Sequence, residues 1–161
     1  MDSMVKIYLQ RTTNEVSAAK LLFTVSNNIE KKKEFEIEEE MTFYSSAISH
    51  SYYAIFYAAK AILLTKGIKT EMPDVHKKTY ESFKKEFVDT GILDVKLLEI
   101  YQRMVVRADE LLEIFKDEKW KRGHFTYQTI PQANKEPAEQ SIQNAMTFIK
   151  NIRLIIEKIH R

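Results

Sequence analysis

The chain has 161 residues, 44% of them hydrophobic and 30% charged, with 25 Lys+Arg against 23 Asp+Glu for a formal net charge of +2. That length supplies one substantial core and is short for two, the apolar content excludes intrinsic disorder, and so small a charge excludes a strong overall field pulling the protein onto nucleic acid or acidic lipid. Zero cysteines remove disulfides, thiolate zinc sites and a cysteine nucleophile, while three glycines and three prolines are too few for an all-β fold with many tight turns.

The N-terminal stretch Met1–Lys6 has no apolar signal core, so a cytoplasmic location is expected. A first helix is predicted from about Val5 to Lys32, with Val5, Leu9, Val16, Ala19 and Phe23 at helical spacing. The charge block Glu30 to Glu40, interrupted by Phe35 and Ile37, reads as a solvated interhelical loop. A second helix covers about Met41 to Lys66. No formal charge occurs between Met41 and Ala59, a length close to the roughly 20 residues of a membrane helix. However, Thr42, Ser45, Ser46, Ser49, His50 and Ser51 would carry polar groups into hydrocarbon. No membrane partner is expected.

Gly67 follows this helix where a left-handed C-terminal cap favours glycine. A third, short helix runs from about Asp74 to Asp89, with Asp74 as cap and His76 in its first turn. The fourth extends from near Asp94 to Arg122 and the fifth from near Pro137 to His160, joined by the connection Gly123 to Glu136. Four long helices and a short one must bundle, giving an all-α fold in a single domain spanning residues 1–161.

Helical winding places Ala47, Ser51, Ala54, Ala58 and Ala61 of the second helix on one small-residue stripe, which should lie against another helix. Beside it Tyr44, Ile48, Ile55 and Ile62 form a bulkier apolar ridge. The remaining face gathers Ser46, His50, Tyr53, Tyr57 and Lys60, a hydrogen-bonding stripe without a carboxylate. It suits an anion or nucleotide, a second copy of the chain, or simply tyrosines covering a core with their hydroxyls exposed.

On the fourth helix Arg103 and Arg107 sit four residues apart. Like charges at that spacing repel by a few tenths of a kcal/mol, roughly. Two explanations are open: ion pairs to Glu99 and Glu110, or a phosphate held between the guanidinium groups. Lys116, Lys119, Lys121, Arg122 and His124, interleaved with Trp120, Phe125 and Tyr127, have the basic and aromatic character of an RNA-contacting edge.

The run Ser49-His50-Ser51-Tyr52-Tyr53-Ala54-Ile55-Phe56-Tyr57-Ala58-Ala59-Lys60-Ala61-Ile62-Leu63-Leu64 resembles the second-helix signature of HEPN domains (higher eukaryotes and prokaryotes nucleotide-binding). Val75-His76 with Phe83, the segment Phe87 to Asp94, Arg107-Ala108-Asp109, and Ala145 with Phe148-Ile149 are similar to later family elements, so the likeness spans about Thr42 to Ile159. The resemblance implies an all-α HEPN-like bundle, commonly a homodimer. Many members are RNases, often toxins paired with a minimal nucleotidyltransferase antitoxin, and others bind without cutting.

In the RNase members an Arg-x(4–6)-His motif carries the chemistry, the arginine holding the scissile phosphate and the histidine moving protons. Here neither Arg103 nor Arg107 has a histidine at that spacing. His50 stands where relatives often have Arg, Tyr57 where they often have His, and Glu110 where they often have Tyr. The formal match Arg153 with His160 lies at the end of the final helix, away from the family's motif.

Other chemistry is sparse. Only one Glu-x-x-His occurs, Glu157 with His160, where a di-iron bundle needs two. Ser49 and His50 point about 100° apart and cannot pair as nucleophile and base, and no glycine-rich phosphate loop exists. No cofactor and no metal are expected. The expected function is nucleotide or RNA binding, in a toxin–antitoxin-type system with a nucleotidyltransferase partner and without the standard RNase motif. Its candidate contacts are His50, Tyr53, Tyr57, Lys60, Arg103, Arg107, Arg122 and His124. The alternatives are a divergent metal-independent endoribonuclease and a non-catalytic homodimeric protein-interaction module.

Overall fold

Apolar spacing sets where this chain is helical, and asparagine side chains and a glycine that lacks one set where the helices break. A computed structural model describes residues 1–120 and 135–161, with side chains described for 1–108 and again from 135. Among the described residues all regular structure is helical: α1 (Ser3–Ser26), α2 (Ile29–Glu34), α3 (Tyr44–Leu64), α4 (Val75–Phe83), α5 (Val95–Trp120) and α6 (Lys135–Ile159). The all-α bundle expected from the sequence is the one observed.

Its first predicted helix, Val5 to Lys32, is two helices. Asn27 Nδ2 donates to the Phe23 carbonyl at 2.8 Å, and the next residue, Asn28, accepts from the Lys31 amide at 2.9 Å. Side chains that bond neighbouring backbone groups in this way close one helix and open another. The charged block Glu30 to Glu40 is therefore not simply a solvated loop: it holds α2, and Lys32 is buried with its ammonium donating to the Glu39 carbonyl.

The central helix starts at Tyr44 rather than Met41 because α1 fixes its entry. Ser26 Oγ accepts the Phe43 amide at 2.7 Å, and the Tyr44 hydroxyl donates to Asn27 Oδ1 at 2.8 Å. It ends at Leu64, and Gly67 closes the turn that follows as expected, with a φ of 72° that suits a residue without Cβ and the Ile68 amide folding back to the Leu63 carbonyl at 3.1 Å. Asp74 heads α4 but does not cap it: its backbone is left-handed, φ 58°, not the extended form from which a cap side chain reaches the first-turn amides. Beyond Phe83 the helix widens into a π turn over Lys84–Val88, closed by Lys84 Nζ on the Asp89 carboxylate at 3.0 Å.

Packing centres on α3, against which α1 packs most extensively and α6 next. The small-residue stripe Ala47, Ser51, Ala54, Ala58 and Ala61 is enclosed, as is the ridge of Tyr44, Ile48, Ile55 and Ile62. Ala19 of α1 and Ala138 of α6 join Ala47 in one cluster, so small residues meet small residues where three helices converge. Ser51 satisfies its buried hydroxyl on the Ala47 carbonyl at 2.8 Å. Phe83, Tyr101 and Phe148 tie α4, α5 and α6 together through ring centroids 5.3–5.7 Å apart. No helix among the described residues is long and apolar enough to cross a membrane.

Overpacking the stripe should be costly where burial is complete and harmless where it is not. Ala54→Leu is expected to lower stability by about 1–3 kcal/mol in chemical denaturation. Ser46→Ala, on the exposed face, should change it by less than about 0.5 kcal/mol.

Candidate functional site

The polar stripe of α3 meets one face of α1, on which Tyr8, Arg11 and Glu15 recur at helical spacing. Glu15 places its carboxylate 2.6 Å from His50 Nδ1. This corrects the carboxylate-free reading of the stripe, since the missing acid comes from the neighbouring helix. Arg11 donates from Nη1 to the Tyr57 hydroxyl at 2.9 Å, with its guanidinium carbon 5.2 Å from the Tyr57 ring centre. Tyr8 stacks on Tyr57 at 6.0 Å between centroids. Lys60 Nζ lies 5.0 Å from the Tyr8 ring centre and donates to the Thr70 carbonyl at 3.0 Å.

These contacts leave an imbalance of charge. Arg11 and Lys60 bond only neutral oxygens, and neither is in an ion pair among the described residues. Both line an open cleft of about 670 Å³ with Tyr8, Tyr57, Met4 and Met72, and with Glu71 at one side. Two cations over stacked phenol rings form a surface suited to the phosphates and flat bases of a nucleotide strand.

Tyr53 belongs to a second pocket, of about 460 Å³, between α3, α4 and α5. There the His76 imidazole stacks on Phe56 with centroids 4.3 Å apart, meets Tyr53 edge-on at 5.9 Å, and bonds the Tyr52 hydroxyl through Nδ1 at 2.8 Å. Burial among these rings, and secondarily the Lys60 charge, push its pKa below the ordinary 6.5. The ring is therefore neutral at neutral pH. Sequence reading placed His76 correctly in the first turn of its helix but gave it no part in a site. Its spacing on α4 carried no signal, because its partners all come from α3.

Arg103 and Arg107 line a third cleft, of about 500 Å³, between α5 and α6, where Gln102, Gln140 and Asn144 supply amide groups. The expected ion pair from Glu99 to Arg103 is not formed: Arg103 Nε reaches instead toward the Glu99 backbone carbonyl at 3.4 Å. An exposed pair gains too little to hold two long side chains in register. Arg107 donates to the Pro137 carbonyl at 3.1 Å and so ties α5 to the start of α6. Arg153, one half of the formal Arg–His match, is committed to α1, donating to Thr13 Oγ1 at 2.7 Å and the Leu9 carbonyl at 3.2 Å.

The sequence candidates thus separate. Tyr57 and Lys60 share the first cleft with Arg11, Tyr53 faces His76, His50 pairs with Glu15, and Arg103 and Arg107 stand in the third. Arg122 and His124 lie outside the described residues. Among the described residues no three His, Asp or Glu side chains gather as metal ligands.

A helical bundle built around a tyrosine- and alanine-rich central helix is the architecture the sequence signature implied. The chain belongs to the HEPN domain family, whose model matches residues 26–157. It is similar to two proteins of Methanocaldococcus jannaschii, each named "Putative toxin". One is 28% identical over 96% of this chain and 90% of its own length, and the other 39% identical over 56% and 65%. A UPF0332 protein of Thermotoga maritima is 30% identical over 72% of this chain and 75% of its own length.

The neutral state of His76 is directly measurable. Its imidazole should titrate below 6.5 by NMR, and Lys60→Met should move it upward by removing the nearby charge. Because the folded pKa is depressed, the unfolded chain binds the proton more readily. The stability contributed by the neutral ring is complete above about 6.5 and is lost as pH falls from there toward the folded value.

Proposed function

We propose that this HEPN protein is the RNA- or nucleotide-binding subunit of a toxin–antitoxin-type system, working in the cytoplasm as a single-domain homodimer with a minimal nucleotidyltransferase as its partner. The carrying observation is the α1–α3 cleft, where Arg11 and Lys60 keep unbalanced positive charge beside stacked Tyr8 and Tyr57. Phosphates would take the two cations and bases would stack on the rings. Arg103 and Arg107 supply a further phosphate contact, weakened by Glu99 in the same cleft. The names of the Methanocaldococcus relatives support the toxin-system setting.

Cleavage by an Arg-x(4–6)-His motif is not part of this reading. Arg103 and Arg107 lack a histidine at that spacing, and no histidine is among the described residues lining their cleft. Tight RNA binding alone can sequester a transcript, and a nucleotidyltransferase partner could control access to the same cleft.

The test is fluorescence anisotropy with a labelled single-stranded RNA across a salt series. Binding should weaken linearly on a log–log plot as phosphate-bound counterions are displaced. Arg11→Ala with Lys60→Ala should reduce affinity by about tenfold or more, and Tyr57→Ala by about fivefold or more through lost base stacking. Affinity independent of salt, or unchanged in both variants, would overturn the reading. RNA recovered from the same mixtures should be full length; shortened RNA would replace this reading with a divergent metal-independent endoribonuclease.

A further inference from the structure

We infer that the pocket between α3, α4 and α5 is a nucleobase site, taking the heterocycle of a nucleoside 5′-monophosphate with the phosphate at Lys77. The site rests on the nucleotide-binding reading above and adds to it a second, distinct locus with a defined ligand class. It lies apart from the Arg11–Lys60 cleft and from the arginine cleft of α5.

Size and shape select a small flat ligand. About 460 Å³ falls within the range of small-molecule pockets, which runs from roughly 300 to 1,000 Å³. The phenol rings of Tyr52, Tyr53 and Tyr80 and the imidazole of His76 wall the pocket, and Val105 and Ala108 of α5 line it with apolar groups. Rings of this kind stack on any base, because every base offers a π face. At about 460 Å³ the space is smaller than the roughly 670 Å³ of the open α1–α3 cleft and suits a single nucleoside.

Polarity narrows the choice further. Ser49, Tyr53 and Tyr80 bring hydroxyls to the lining, able to donate or accept at a base edge. The Nδ1 of His76 is held by the Tyr52 hydroxyl, which leaves Nε2 as the ring's other hydrogen-bonding atom. No Asp or Glu is among the described lining residues, so a cationic ligand finds no counter-charge. Among the described lining residues Lys77 is the one cation; its ammonium lies 3.9 Å from Glu81 on an exposed surface, a weak pairing that an anion can displace. An aromatic ligand carrying one anionic group matches that inventory.

Next to this pocket, the Tyr101 hydroxyl is fully buried without a hydrogen-bond partner among the described residues. Its ring meets Tyr80 edge-on with centroids 5.2 Å apart, and burial together with the Tyr52 and Tyr80 phenols pushes its pKa well above 10. An unpaired buried hydroxyl is costly. It lies behind the Tyr80 ring that walls the pocket.

Isothermal titration calorimetry with AMP, adenosine and ribose 5-phosphate tests the site. AMP should bind, ribose 5-phosphate should bind at least about tenfold more weakly for want of a base, and Lys77→Ala should weaken AMP several-fold while leaving adenosine unchanged. Ala108→Phe, which fills the pocket, should abolish AMP binding yet leave the single-stranded RNA affinity within about threefold of the unmodified protein. Equal binding of ribose 5-phosphate and AMP, or full AMP affinity in folded Ala108→Phe, overturns the pocket. If Ala108→Phe fails to fold, equal loss of AMP and adenosine in Lys77→Ala overturns it instead. RNA binding without AMP binding removes the pocket alone, whereas loss of both removes the nucleotide-binding reading with it.

Discussion

The close seating of α1 on α3 is the constraint from which the rest of the molecule follows. It depends on residues without bulk: Ala47 meets Ala19 and Ala138 where α1, α3 and α6 converge, and Ala54, Ala58 and Ala61 continue the same enclosed stripe. Larger side chains there would hold the helices apart. The short approach lets side chains of α1 reach across to the polar face of α3. Glu15 meets His50, Arg11 meets Tyr57, and Lys60 lies over Tyr8.

The energetic and functional roles of this seam are carried by different groups. Burial of the alanine stripe and of Val5, Ile55 and Ile62 supplies the non-directional attraction that holds the helices together. The polar contacts across the seam are exposed or half-exposed, where an ion pair or hydrogen bond contributes about 1 kcal/mol or less. Arg11 and Lys60 therefore stabilise the fold little, and neither is ion-paired to a carboxylate among the described residues. A cation held in place by neutral oxygens is oriented without being neutralised, and that state is what a phosphate recognises. The pocket around His76 follows the opposite logic, with aromatic walls, a neutral imidazole and a single ammonium.

Much of this was legible in the sequence because helical periodicity sorts residues onto faces. The alanine stripe, the isoleucine ridge and the hydroxyl-rich face of α3 are where the spacing put them, and the HEPN signature rests on that same helix. Periodicity does not say which helix opposes a given face. Glu15 and Arg11 were therefore missed although they share a face of α1 with Tyr8, and the pairing of Arg103 with Glu99 was expected from spacing although the arginine turns to a backbone carbonyl. The split of the first helix was signalled by Asn27-Asn28. Two adjacent residues whose amides compete for backbone groups mark a break even inside an apolar repeat. His76 had no such local mark, since the rings it contacts and the Lys60 charge all belong to α3, far from it in sequence.

The proposed function requires that nucleic acid be received along the α1–α3 seam. Amide chemical-shift mapping during titration with a short single-stranded RNA tests it most directly. The largest shifts should fall at Tyr8, Arg11, Tyr57, Lys60 and the adjoining Thr70, with smaller ones around Arg103 and Arg107. Shifts confined to the α5 arginines, with the seam unmoved at saturation, would contradict it.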